Sequence, residues 1–383
     1  MTEAAAPDHP SDARPVARYV AASETRVWSM APVERLRRIL ARAGVTEVGP
    51  WDGVLDIDRA VAGRRHLIVR ADHEYAPVLM ADLAKRPGTV LLVGGQPVAA
   101  HVDEALAAGA AADLEAGRIE ALAGLPALEP EALSSAHDKA LRKRDVPYAM
   151  PIRPDTVDAV ERRTFEGSYK GVTDFVTRHV WPVPARAATR WCAARGVSPN
   201  TVTTVSLVFV LLAMFLFWQG FFVTGCLVGW AMCFLDTVDG KLARTTLNSS
   251  KWGNVYDHGI DLIHPPFWYW AWFVGVGSGS EAMVWSLWVI VVGYVVQRIQ
   301  EGIFIARFGI EMHVWRRFDS RFRLIVARRN PNLLILMVFA IVGLPGAGFI
   351  AVAAWTVIGF VIHSVQIAQA MTSPRPVTSW LAA

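Results

Sequence analysis

This 383-residue chain has only three cysteines, Cys192, Cys226 and Cys233, and their spacing suits no thiolate metal site. Cys226 and Cys233 lie in an apolar run, where a thiol acts as a small hydrophobe. No basic run is interleaved with stacking aromatics, which argues against nucleic acid as a partner. The opening MTEAAAPDHPSDARP has no apolar core and predicts no signal peptide, so later segments would direct membrane insertion. At 53% hydrophobic the chain is too apolar for an ordinary soluble protein, and at 19% charged it is too polar to lie in a membrane throughout. The charges are unevenly placed, so a soluble part joined to a membrane part is expected.

Residues 1–25, rich in Ala, Pro and Asp, read as a disordered N-terminus. Residues 26–141 alternate helix and strand. VERLRRILARAG places Val33, Leu36, Ile39 and Leu40 on one helical face, with Gly44 as a C-cap. HLIVR (66–70) and TVLLVGG (89–95) read as buried parallel strands, separated by a helix in EYAPVLMADLAKRPG. Residues 142–198 connect this domain to the apolar half. They include ARAATRWCAARG, a basic amphipathic helix carrying Trp191 and suited to the headgroup plane.

Six apolar spans are predicted over residues 199–372, at about 202–218, 221–242, 255–275, 283–305, 333–344 and 349–371, with a cytoplasmic tail at 373–383. One set of loops lacks Lys and Arg. The opposite set carries Lys241, Arg244, Lys251, Arg307, Arg316, Arg317, Arg321, Arg323, Arg328 and Arg329. That asymmetry places both termini in the cytoplasm, with the chain in the cell (inner) membrane. The expected fold is an α-helical polytopic membrane bundle of six transmembrane helices with an interfacial amphipathic helix, preceded by a small cytoplasmic α/β domain.

Four aspartates interrupt this apolar half. Asp236 and Asp239 are three apart on the second span, with Gly240 and Ala243 continuing the same face. Gly253, Asp257 and Asp261 recur every four residues on the third. Two antiparallel helices could then aim four carboxylates at one volume. Crowded carboxylates repel one another and stay ionised only if a divalent cation neutralises them. Hard oxygen ligands favour Mg2+, Mn2+ or Ca2+ over zinc. Gly240 and Ala243 leave room for a phosphate, and Arg244 offers it a forked cation. Helix capping or pairing with Lys241, Arg244 and Lys251 would account for one or two of the aspartates but not for four on two stripes.

DTVDGKLARTTLNSSKWGNVYDHGID resembles the signature of the class I CDP-alcohol phosphotransferases, D-x2-D-G-x2-A-R-x8-G-x3-D-x3-D, at every fixed position. The six spans and the SPNTVT before the first are similar to that family as well, so the resemblance runs from about Val183 onward. It implies that Asp236, Asp239, Asp257 and Asp261 hold one or two Mg2+ or Mn2+ ions against a nucleotide's pyrophosphate, with Asp261 also the general base. It implies that Gly240, Ala243, Arg244 and Gly253 line the nucleotide pocket, with Asn200 and Thr203 beside them. The partners it implies are a CDP-activated donor (CDP-diacylglycerol or a CDP-alcohol), an alcohol or phospho-alcohol acceptor, membrane lipids and a second copy in a homodimer. The reaction would pass a substituted phosphate to a hydroxyl and release CMP.

The arginine-dense RFGIEMHVWRRFDSRFRLIVARRNPN reads first as positive-inside anchoring. Its sharper reading is a pocket for a phosphorylated acceptor, using some of Arg307, Arg316, Arg317, Arg321 and Arg323, with Arg298 unless Glu301 simply pairs with it. Lys170, Asp174 and Arg178 could reach the mouth of the site. The front domain faintly resembles nucleotidyltransferases of the bifunctional inositol-phosphate cytidylyltransferase/di-inositol phosphate synthases. It lacks their Gly-rich, Arg-containing loop and their Lys, so it reads as degenerate, with Asp72 and His73 in turn or capping roles. Two other functions share some features. An intramembrane prenyltransferase also uses Asp-rich helices, but without the DG..AR context. A proton or ion transporter would want a further acid deeper in a span.

Overall fold

The computed structural model describes residues 15–53, 65–277 and 279–382. The described residues divide into two compact units. One comprises residues up to 138 together with 145–167, and the other comprises 139–144 together with 168–382.

The first unit runs β1 (Val16–Val20), α1 (Pro32–Arg42), β2 (Val48–Pro50), β3 (Arg65–Arg70), β4 (His73–Tyr75), α2 (Pro77–Leu83), β5 (Thr89–Val93), β6 (Gln96–Asp103), α3 (Glu104–Ala116), β7 (Ala127–Leu128), α4 (Pro130–Leu133) and α5 (Val157–Gly167). Its main sheet has the order β2-β1-β3-β6-β5-β7. The sheet is mixed, not parallel as expected: β1 is parallel to β2 and β3, but β6 runs antiparallel to both β3 and β5. The reason is local. Gly94 and Gly95 both take positive φ and turn β5 straight back into β6, so no crossover is needed. Ile68, Val90, Ala100 and Val102 on the sheet pack against Ala107, Ala110, Ala111 and Leu114 of α3.

Residues 16–20, read from composition as disordered, are strand β1 between β2 and β3. VARYV is a short apolar strand that the Ala/Pro-rich flank conceals; residues 1–14 lie outside the described residues. The buried Arg35 pairs with Glu74 through two hydrogen bonds of 2.7 and 2.5 Å, which lets a charged pair sit on the inner face of α1. Asp72 is a turn residue, and His73 opens β4. The Asp72 carboxylate accepts from Arg70 Nε at 3.0 Å and Nη2 at 2.7 Å, and lies 2.7 Å from His73 Nδ1.

The second unit contains α6 (Phe175–His179), α7 (Pro182–Ala194), α8 (Pro199–Trp218), α9 (Phe222–Thr245), α10 (Lys251–Val276), α11 (Glu281–Phe308), α12 (Arg317–Phe322), α13 (Arg329–Ile341) and α14 (Pro345–Met371). Serine hydroxyls start three of them. Ser198 accepts from Thr201 N–H, Ser250 from Gly253 N–H and Ser280 from Met283 N–H. Among the described residues, four helices (α8, α9, α11 and α14) are long and apolar enough to cross a membrane, and the chain is a membrane protein. α10 does not qualify as a span on composition, and it carries Asp257, Asp261 and two internal prolines. α13 has 13 residues, about 20 Å of rise, against a hydrocarbon core of about 30 Å.

The bundle core gathers Phe217, Trp268, Trp272, Leu333, Phe349 and their neighbours. The indole N–H groups donate to backbone carbonyls, Trp268 to Val210 at 2.9 Å and Trp272 to Pro345 at 3.1 Å. α7 buries Ala185, Thr189 and Cys192 on one stripe and leaves Trp191 exposed, as an amphipathic interfacial helix would.

Candidate active site

The carboxylate cluster follows from helix periodicity. Asp236 lies on α9, and Asp257 and Asp261 lie one turn apart on α10. One oxygen from each falls within 4.8 Å of the others. Asp239, one turn beyond Asp236, is 3% exposed. One of its oxygens accepts from Thr203 Oγ1 at 2.7 Å, and the other is buried with no hydrogen-bond partner. A carboxylate oxygen orphaned in this way is costly unless a ligand satisfies it. The donor set is all carboxylate oxygen, and an orphaned oxygen stands beside three crowded ones, so the residues fit a hard divalent cation such as Mg2+ or Mn2+.

The cluster opens into a cavity of about 840 Å³ lined entirely by the second unit. All four aspartates line it, and so do Asn200, Thr203, Gly240, Ala243, Arg244 and Gly253. Two glycines permit close approach. A Cβ on Gly240 would lie 2.9 Å from Arg244 Nη2, and one on Gly253 would lie 2.7 Å from Asn200 Oδ1. Arg244 Nε donates to the Ser168 carbonyl at 2.8 Å. The buried Lys241 donates to the same carbonyl at 3.3 Å, and its ammonium sits 3.4 Å from the centre of the Tyr169 ring. Lys241 therefore braces the segment around residue 168; it does not line up with the aspartates as a simple counter-ion.

Arg329 was absent from the sequence-derived site and stands at its centre. Its Nη2 is 2.5 Å from Asp236 Oδ2, and its Nη1 donates to Asp261 Oδ1. The sequence signal was present but ambiguous, because Arg329 belongs to a basic run whose simplest meaning is membrane orientation.

The arginines expected to bind an acceptor divide in two. Arg298 lines the cavity while pairing with Glu301 at 3.1 Å. Arg307, Arg316 and Arg317 do not line it. Arg316 is held by Asp319 and by Gln369 Oε1 at 2.7 Å, Arg317 lies over the Trp380 ring, and Arg307 lies over the Phe308 ring. Arg178 and Arg321 are also absent from the lining, which does include the expected Lys170 and Arg323 and adds Arg142 and Arg328. Arg328 is committed to Glu301. Arg323 is 9% exposed, and its Nε and Nη1 have no partner. Burial, with Arg328 as a neighbouring cation, pushes its charge to a disadvantage. Lys170 is lowered from its ordinary range by burial and by Arg142 and Arg244 nearby. Arg142 pairs with Glu311 at 2.9 Å. Asp174 lines the same wall, caps α6 through Thr177 N–H and accepts from Asn330 at 2.9 Å. Burial would raise its pKa, but these hydrogen bonds hold it below the ordinary carboxylate value.

Residues 196–362 match the family model described as CDP-alcohol phosphatidyltransferase. A phosphatidylinositol phosphate synthase from Streptomyces avermitilis is 30% identical over 126 residues, covering 32% of this chain and 50% of that protein. Cholinephosphotransferase 1 from Danio rerio is 30% identical over 129 residues, covering 30% of this chain and 33% of that protein. The chain thus spans between a third and a half of the length of these curated relatives. A crystal structure of Mycobacterium tuberculosis phosphatidylinositol phosphate synthase in complex with manganese and citrate is 19% identical with a TM-score of 0.40, covering 51% of this chain and 92% of that one. The same enzyme with CDP-DAG bound gives 19% and 0.38, covering 51% and 96%.

Proposed function

Because the chain carries a CDP-alcohol phosphatidyltransferase domain over residues 196–362, we propose that it transfers a substituted phosphate from a CDP-linked donor to an alcohol hydroxyl and releases CMP. The observation that carries this reading is the convergence of Asp236, Asp257 and Asp261 at the wall of a cavity that also presents the orphaned Asp239 oxygen. One or two divalent cations held by these aspartates would offset charge on the donor's two phosphates, acting as Lewis acid and template. Gly240 and Gly253 let the Arg244 and Asn200 side chains lie close against the backbone at the cavity wall, and Arg244, fixed by Ser168, is positioned to meet a phosphate.

Asp261 takes the proton of the acceptor hydroxyl. The acceptor oxygen forms a bond to the β-phosphorus, the bond from that phosphorus to the bridging oxygen breaks, and CMP leaves with the electron pair. Arg142, Lys170 and Arg323 give the cavity a cationic wall, and the unpartnered Arg323 nitrogens need an anion. This supports an acceptor that itself carries a phosphate, in keeping with the name of the Streptomyces relative. We read α8, α9, α11 and α14 as spans, with α10 and α13 completing the bundle beside them, and the Lys/Arg-rich loops and the exposed Trp191 on α7 support a place in the inner membrane with both termini cytoplasmic. We read the first unit, which alternates strands and helices and whose sequence carries no Gly-rich, Arg-containing loop, as a degenerate nucleotidyltransferase.

The test is to incubate the purified full chain and Mg2+ with CDP-activated donors and phosphorylated or free alcohols, and to follow CMP by mass spectrometry. CMP formed together with a new phosphodiester supports the proposal. Absence of CMP with every donor and native lipid extract rejects it.

A further inference from the structure

α10 contains two consecutive prolines, Pro265 and Pro266, four residues beyond Asp261 and Leu262 respectively. Proline has no N–H, so neither residue can return the helical hydrogen bond to the carbonyl four positions earlier. The two deprived carbonyls are those of Asp261 and Leu262. A single side chain from the neighbouring helix meets both. Tyr294 of α11 donates its hydroxyl to the Leu262 carbonyl at 3.0 Å, and the Asp261 carbonyl lies 3.4 Å from the same oxygen. Tyr294 also lines the cavity.

We propose that Tyr294 is a positioning residue that fixes Asp261, offering from α11 one hydroxyl proton shared between the two carbonyls that the prolines leave without a helical donor. A helix interrupted at two successive bonds can bend or wind differently at that point, and such a break is commonly satisfied by an inserted polar group. Here the break starts at the residue we read as the base, so any play in the backbone moves its carboxylate. Asp257, a turn earlier, lies on the intact side. The hydroxyl therefore sets the distance between one half of the cluster and the other. The helix turn before the break is secured separately, with His264 Nδ1 2.7 Å from the Ile260 carbonyl.

The inference rests on the reading of Asp261 as base and metal ligand, and a readout other than turnover separates the two. Tyr294→Phe removes one hydroxyl and keeps the ring. In the full chain, Mn2+ affinity measured by electron paramagnetic resonance should fall several-fold, and the rate of CMP formation at saturation should fall about tenfold, as loss of one such hydrogen bond implies. Affinity for CDP should stay within twofold. Pro266→Ala restores an N–H for the Leu262 carbonyl, so Y294F/P266A should bind Mn2+ and turn over more like the parent than Y294F does. Parental Mn2+ binding and rate in Y294F would overturn the proposal, as would a double variant that folds and recovers nothing. If the double variant does not fold, Y294F alone decides: a loss confined to CDP affinity rejects the role. A parent chain that forms no CMP would refute the transferase reading, while Mn2+ binding would still test the clamp.

Discussion

Arg329, the first residue of α13, bridges two carboxylates from two other helices, Asp236 on α9 and Asp261 on α10. Its guanidinium neutralises the same crowded acids that a divalent cation would. The two positive groups therefore compete for one set of negative charges. Arg329→Gln should raise the affinity for Mn2+ on the order of tenfold, because the cluster loses a resident cation while keeping its oxygens. The same variant should unfold at a lower temperature without divalent ions, and Mn2+ should recover most of the loss. Paramagnetic resonance titration and thermal unfolding with and without chelator measure both. Weaker Mn2+ binding would instead make Arg329 a support for the ligands.

Asp261 has two proposed tasks, metal ligand and base, and a conservative change separates them. Asp261→Asn keeps size and one oxygen but cannot accept the acceptor's proton. CMP formation should fall by about 10² to 10⁴, while CDP still binds in the presence of Mg2+. Asp257→Asn lacks the base role and should act mainly by weakening metal affinity. Near-parental turnover in D261N would remove the base assignment.

Much of this site was legible because helix geometry turns spacing into direction. The i, i+3 and i, i+4 aspartates, Gly240 and Gly253 all line one cavity, and a sequence reader needs only the period of a helix to expect it. Arg329 and Tyr294 were not legible, since each arrives from a helix whose rotation against α10 is set by packing. The cationic wall was partly misread for a related reason. Arg316 and Arg317 look equivalent to Arg323 in the sequence, but Asp319, Gln369 and Trp380 hold the first two elsewhere. In the first unit, composition hid β1, and a glycine pair placed an antiparallel strand, β6, between the two expected strands β3 and β5, which keep a common direction.

Asp72 predicts an acid-dependent loss of structure in the α/β unit. Burial would raise its pKa, but hydrogen bonds from His73 and Arg70 hold it down at about 2. In the unfolded chain the value is about 3.9. A folded pKa below the unfolded one means that the stabilisation is complete above about pH 4 and is lost as pH falls towards about 2. Asp72→Asn should therefore exchange amide hydrogens across 65–75 several-fold faster than the parent at pH 6, with the gap closing below pH 3. Exchange followed by mass spectrometry, parent against variant at each pH, reads this directly. A gap that persists at low pH would assign the effect to packing.

The cationic wall makes the most specific demand on substrate. Lys170 makes no ion pair among the described residues, and Arg323 has two buried nitrogens without partners. An acceptor phosphate would satisfy both, whereas a neutral alcohol would leave them as they are. Lys170→Gln and Arg323→Gln should each raise KM for a phosphorylated acceptor by about tenfold or more, the scale of one charge-assisted hydrogen bond. kcat at saturation and KM for the CDP donor should change little, because neither residue belongs to the carboxylate cluster. With an unphosphorylated acceptor the same variants should be indistinguishable from the parent. If both variants instead weaken the CDP donor, these side chains face the nucleotide's phosphates, and the acceptor must enter from another wall of the cavity.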